Sequence, residues 1–174
     1  MEAPEFSHIV KLSDIGAKPK TGTLIASEKE REALALRFDL PSISSLTASY
    51  KLTGGERGIA FAGQIESGLQ QSCVITEEPM PVQVKEAFDI LFVPKVDQSE
   101  VEEEVELSEE DCDLIEYEQG QIDLGEAIAQ TLYLSLDPYP RGPNADAAAK
   151  AKGLKSEEEA GPFGALAALK DKLS

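Results

Sequence analysis

The sequence predicts an α+β protein: an antiparallel β-sheet meander packed by two helices, with an acidic loop and a flexible C-terminal tail. Three observations carry this expectation. The stretch Leu114–Pro140 strings together strand, turn and helix signals. From Leu46 to Ile65 apolar residues recur with a period of two on both sides of Gly54-Gly55, the pattern of a β-hairpin. After Pro140 the composition shifts to Gly, Pro, Ala and Lys, with little to bury. At 174 residues the chain is long enough for one domain with a core and too short for two of ordinary size.

Taken in order, Phe6, His8, Val10 and Leu12 alternate with Ser7, Ile9 and Lys11, which predicts a first strand with Phe6, Val10 and Leu12 inward. A loop follows over Gly16–Gly22. Ser27 and Glu30 make a capping box that opens a charged helix running to about Phe38, with Ala33, Leu34 and Phe38 on its apolar side and Pro41 beyond it. The hairpin comes next. Cys73–Thr76 and the break E-E-P-M-P then lead to Val82, Val84, Phe88, Ile90 and Phe92, read as another pair of strands ending at Pro94. The stretch Asp97–Asp113 is too acidic to bury and is read as a mobile loop.

Ile115 and Tyr117 alternate with Glu116 and Glu118, a strand that Gly120 breaks. Asp123, with Glu126 three residues on, resembles a capping box, so a helix should begin at Leu124. Leu124, Ile128 and Leu132 form its buried stripe, and Pro138 and Pro140 stop the element. The domain is thus expected over residues 1–140, with its acidic loop at about 96–113. The tail, 141–174, is expected to carry a short amphipathic helix over 163–173, where Phe163, Leu166, Leu169 and Leu173 recur near helical spacing.

The net charge of −17 is unevenly placed. Residues 1–95 carry 10 basic and 13 acidic side chains, residues 96–140 carry 15 acidic and none basic, and residues 141–174 carry 6 and 5. A block of this sign repels phosphate and attracts a basic protein. No apolar run approaches the roughly 20 residues that span a bilayer. The opening M-E-A-P-E-F carries acid where a signal peptide carries base, so a cytoplasmic protein is expected. Cys73 and Cys112 are too few and too far apart for a disulfide framework.

Catalytic patterns are sparse. His8 is the single histidine, and a lone strand histidine is usually structural or exposed. No P-loop, dinucleotide-binding or zincin motif occurs, and T-G-G-E-R-G at Thr53–Gly58 lacks the lysine and following helix of a phosphate loop. Cys73 has Thr76 where a zinc knuckle needs its second cysteine, and the acidic run lacks the D-x-D-x-D-G order of a calcium loop. No catalytic residue, metal or cofactor is expected.

Four segments resemble a known family, the YceD-type large ribosomal RNA subunit accumulation proteins. They are F-S-H-I-V-K-L near the start, C-V-I-T-E-E-P followed by V-K-E-A-F, G-Q-I-D-L-G-E-A-I-A-Q-T-L-Y-L-S-L-D-P-Y-P, and P-F-G-A-L-A-A-L-K near the end. The resemblance implies a role in ribosome assembly through large-subunit ribosomal RNA. Some members carry cysteine pairs, a feature that Thr76 and the stretch Asp137–Arg141 do not reproduce, so the metal is not carried over. On this reading the partner is a basic ribosomal protein or assembly factor. It would be held by Glu102, Glu103, Glu104, Glu106, Glu109, Glu110 and Asp111, with Phe163, Leu166 and Leu169 as an apolar anchor. Two alternatives stay open: direct RNA binding through Lys18, Lys20, Arg37, Lys51 and Arg57, and a small enzyme with an unrecognised pocket.

Overall fold

A computed structural model describes residues 4–16, 18–95 and 113–153. The expected acidic loop of about 96–113 lies outside these residues except for Asp113, which opens a strand, and the expected helix at 163–173 lies outside them altogether. Among the described residues the architecture is α+β. Its elements are β1 (Ile9–Lys11), β2 (Lys20–Ile25), α1 (Glu28–Arg37), β3 (Ser42–Gly55), β4 (Gly58–Ser72), β5 (Pro79–Pro94), β6 (Asp113–Tyr117), β7 (Gln121–Asp123), α2 (Leu124–Leu134) and α3 (Ala145–Ala151), with a short 3₁₀ turn at Leu12–Asp14. A five-stranded sheet runs in the order β2-β3-β4-β5-β6, and β1 pairs with β7 in a separate two-stranded sheet.

The chain groups into two units. The first comprises 1–70 and 81–136, the second 71–80 and 137–174. In the first unit, one face of the five-stranded sheet supplies the core. Leu46, Ala48 and Leu52 of β3 lie against Ile65 and Phe61 of β4, with Phe88, Ile90 and Phe92 of β5 beside them. Phe61 is fully buried, its ring centroid 4.8 Å from Phe88, 5.5 Å from Tyr50 and 5.9 Å from Phe92. Such tilted aromatic contacts add to the area they bury. Leu124, Ile128 and Leu132 of α2 are each fully buried, as their spacing predicts, and each contributes roughly 1.5–3 kcal/mol of burial.

Several expectations are corrected. The first strand is only three residues long, and Leu12 already sits in the 3₁₀ turn. Part of the expected loop is the edge strand β2. The hairpin turn falls on Glu56-Arg57, because Gly55 still pairs with Gly58. The two strands expected before Pro94 are one, β5, whose Pro79 and Pro81 stand at its beginning, where a missing amide costs least. β6 pairs with β5 in parallel, so the sheet is mixed and only its first part is an antiparallel meander. Where linker composition was expected, α3 forms and buries Ala145.

A β-bulge between Ile43 and Ser45 explains why Ile43 and Leu46 both face inward despite their odd spacing. The buried Ser67 hydroxyl there donates to the Ser45 carbonyl, and the Ser45 hydroxyl accepts from the Gly68 amide, which leaves the bulge satisfied.

Candidate interaction surfaces

Asp123 joins the N-terminal segment to α2. One carboxylate oxygen accepts from the Gly125 and Glu126 amides at 3.0 and 3.2 Å and from the His8 amide at 2.7 Å; the other accepts from the Ser7 hydroxyl at 2.6 Å. The Leu124 amide in turn donates to the His8 carbonyl. His8 therefore works through its backbone, and its side chain is exposed. Asp123 thus caps the helix as its position predicts, while Glu126 turns to another partner. The Glu126 carboxylate accepts two bonds from Arg37, at 2.7 and 2.8 Å, and Arg37 reaches Glu5 at 3.0 Å.

This fork ties α1 to α2, residues 89 apart in sequence. The hydrogen bond from Arg37 holds the Glu126 carboxyl below its ordinary range, and the same bond raises Arg37. A lowered carboxylate pKa stabilises the fold above the unfolded value near 4.5, and that stabilisation is lost as pH falls through the folded value. Arg37→Met is therefore expected to cost about 1 kcal/mol at pH 7, solvent screening of a half-exposed pair keeping it that small. The difference from the parent chain should shrink as pH falls below the unfolded value near 4.5. Urea midpoints at pH 7 and pH 3.5 check this.

Of the five cations weighed for RNA, four lie toward one end of the sheet, Lys20 and Lys51 on opposite faces of it, and one lies elsewhere. Lys20 pairs with Leu52, Lys51 pairs with Thr21, and Arg57 sits in the β3–β4 turn. Gly54 donates to the Gly16 carbonyl, which brings the chain before Lys18 to the same end of the sheet. Lys18, Lys20, Lys51 and Arg57 are exposed and take part in none of the ion pairs among the described residues, with Glu56 as the carboxylate next to Arg57. Arg37 lies elsewhere, consumed by Glu126 and Glu5.

The acidic candidates Glu102, Glu103, Glu104, Glu106, Glu109, Glu110 and Asp111, and the apolar candidates Phe163, Leu166 and Leu169, lie outside the described residues. What the structure shows of the acidic block is its end, strand β6. Asp113 and Glu116 are exposed there, and Glu118 follows, paired with Lys95 at 2.6 Å. A shallow groove of about 360 Å³ is lined by Arg37, Phe38, Gln130, Tyr133 and Leu134, next to the exposed Leu36.

In the second unit, Cys73, weighed in the sequence only for a disulfide or a metal, is buried and unpaired among the described residues. Its amide donates to the Glu78 carbonyl, its carbonyl accepts from the Glu77 amide, and the Val74 amide donates to the Pro140 carbonyl. The buried Gln71 side chain is satisfied by the Asp137 carbonyl. The Gly142 amide, then the Thr76 hydroxyl and the Ile75 and Thr76 amides, donate to the Cys73 sulfur and lower its pKa to about 7. The unfolded chain, titrating near 9.0, binds more protons in between, so this group's stabilisation grows from about pH 7 to 9 and is lost as pH falls through 7. In Cys73→Ser that increment should vanish, as urea midpoints at pH 6.5 and 9 would show. Among the described residues no group of three His, Cys, Asp or Glu side chains is placed to hold a metal, and no helix is long and apolar enough to cross a membrane.

Fold and surfaces together define an α+β protein built on a mixed sheet. The chain belongs to the YceD family, described as large ribosomal RNA subunit accumulation protein YceD, whose model matches residues 61–170. The match takes in β5, β6, β7, α2 and α3 and most of β4, and leaves β1 to β3 and α1 outside it. No curated protein and no solved structure matches the chain.

Proposed function

We propose that this protein supports accumulation of large-subunit ribosomal RNA without catalysis, by holding a basic ribosomal protein or assembly factor in the cytoplasm. The observation that supports this reading is the charge of the segment ending in β6: 12 carboxylates and no basic residue from Asp97 to Glu118. Opposite charges steer encounter and raise association rates by orders of magnitude at low salt. Phe163, Leu166 and Leu169 add an apolar anchor.

The test is the ratio of large- to small-subunit ribosomal RNA in cells lacking the protein. The ratio should fall, and the parent chain should restore it. A chain with Glu102, Glu103, Glu104, Glu106, Glu109, Glu110 and Asp111 changed to their amides should restore less than half of the loss. Full restoration by the neutralised chain would overturn the reading.

A second reading rests on the position of Lys18, Lys20, Lys51 and Arg57 toward one end of the sheet: direct contact with the ribosomal RNA backbone. Filter binding to large-subunit RNA fragments separates the two. RNA contact through four cations gives a steep loss of affinity with added salt, whereas the protein-partner reading gives no RNA retention by the isolated chain.

A further inference from the structure

We propose that the free edge of β6 receives an extended, lysine- or arginine-rich segment of the partner as a sixth strand of the sheet. The proposal rests on the reading that the partner is a basic protein, and it specifies how that protein is held.

Among the described residues β6 is the last strand on its side. The Tyr117 carbonyl accepts from the Lys95 amide at 3.1 Å, so Tyr117 turns its backbone toward β5. Along a strand, successive residues turn their amide and carbonyl to opposite sides. Ile115 and Asp113 therefore also face β5, while Leu114 and Glu116 present their amides and carbonyls at the open edge. No backbone hydrogen bond beyond the pairing with β5 reaches Leu114 or Glu116 among the described residues. Both residues are exposed, Leu114 at 46%. An edge of this kind is a template for strand addition, with main-chain bonds supplying affinity and alternate side chains supplying specificity.

Charge selects the occupant. Asp113 and Glu116 lie on the strand itself and take part in none of the ion pairs among the described residues, and an acidic segment precedes it in the sequence, while Glu118 after it is already paired with Lys95. The sheet's other edge, β2, carries Lys20 and no acid over its six residues, so a basic strand is repelled there and drawn to β6. β6 also lies within the region that the family model matches, and β2 does not.

The test uses the full chain, labelled with nitrogen-15, and a synthetic ten-residue peptide of alternating lysine and valine. At low salt the peptide should bind, with affinity falling as salt is added. At saturation, solvent exchange of the Leu114 and Glu116 amides should slow at least tenfold, while Ile115 and Tyr117, already facing β5, should change less than twofold. Binding that leaves the Leu114 and Glu116 amides unprotected would overturn strand addition and leave the basic-partner reading standing, as attraction between side chains alone. Absence of binding at low salt would overturn both.

Discussion

Gly63→Ala is expected to destabilise the protein by about 4 kcal/mol, a large share of the 5–15 kcal/mol that holds a domain of this kind together. Gly63 lies on the core face of β4, opposite Tyr50. A Cβ there would stand 2.0 Å from the Ser49 carbonyl oxygen and 2.9 Å from the Phe88 ring and the Tyr50 Cα. Two of those neighbours are backbone of the paired strand, so no rotamer change relieves the contact. The β3–β4 pairing or the Phe61–Phe88 packing must open instead. Gly16→Ala is the matched control, since nothing lies within 4 Å of its added Cβ; it should change stability by no more than about 0.5 kcal/mol. Urea unfolding of both chains checks the contrast, and a Gly63→Ala chain as stable as the parent would refute the packing described for the sheet.

Asp123→Ala should cost about 3 kcal/mol. A helix N-cap alone is worth about 1 kcal/mol, but this carboxylate also accepts from the His8 amide and the Ser7 hydroxyl, so its removal leaves four donors without a partner. Asp123→Asn retains the oxygen that serves the three amides and loses the contact with Ser7, so about 1 kcal/mol is expected. The two variants differ in a second readout. Loss of the His8 bond frees the N-terminal segment, so in Asp123→Ala limited proteolysis should cut before Leu12 well ahead of global unfolding, and in Asp123→Asn it should not. Gly125 lies behind this junction, where an added Cβ would meet the Phe6 carbonyl oxygen at 2.7 Å. The same close approach that excludes a side chain lets the strand segment seat on the helix.

These two sites show how unevenly the molecule is written in its sequence. The Ser27–Glu30 capping box, the Asp123 cap and the stripe Leu124, Ile128, Leu132 were legible because caps and helical spacing act within a few residues. The long hairpin was legible for the same reason. β2 was not, because K-T-G-T-L-I buries only Leu24 and the edge position leaves its other side chains in solvent. α3 was hidden because an alanine-rich turn beside Gly and Pro has the composition of a linker, and only Ala145 is buried. The acidic and apolar candidates from Glu102 to Asp111 and from Phe163 to Leu169 remain expectations of composition and spacing.

The sequence by itself determined the α+β class, both principal helices, the hairpin, the family and the partition of charge, since each depends on local spacing, composition or order along the chain. Tertiary structure decided the rest. It sent Arg37 to Glu126, placed Lys18, Lys20, Lys51 and Arg57 toward one end of the sheet with Lys20 and Lys51 on opposite faces, and laid β6 parallel to β5 with the backbone of Leu114 and Glu116 facing outward. Those outcomes depend on which distant segments pair. Pairing is set by burial of a shared core and by strand register, quantities that no short window of sequence contains.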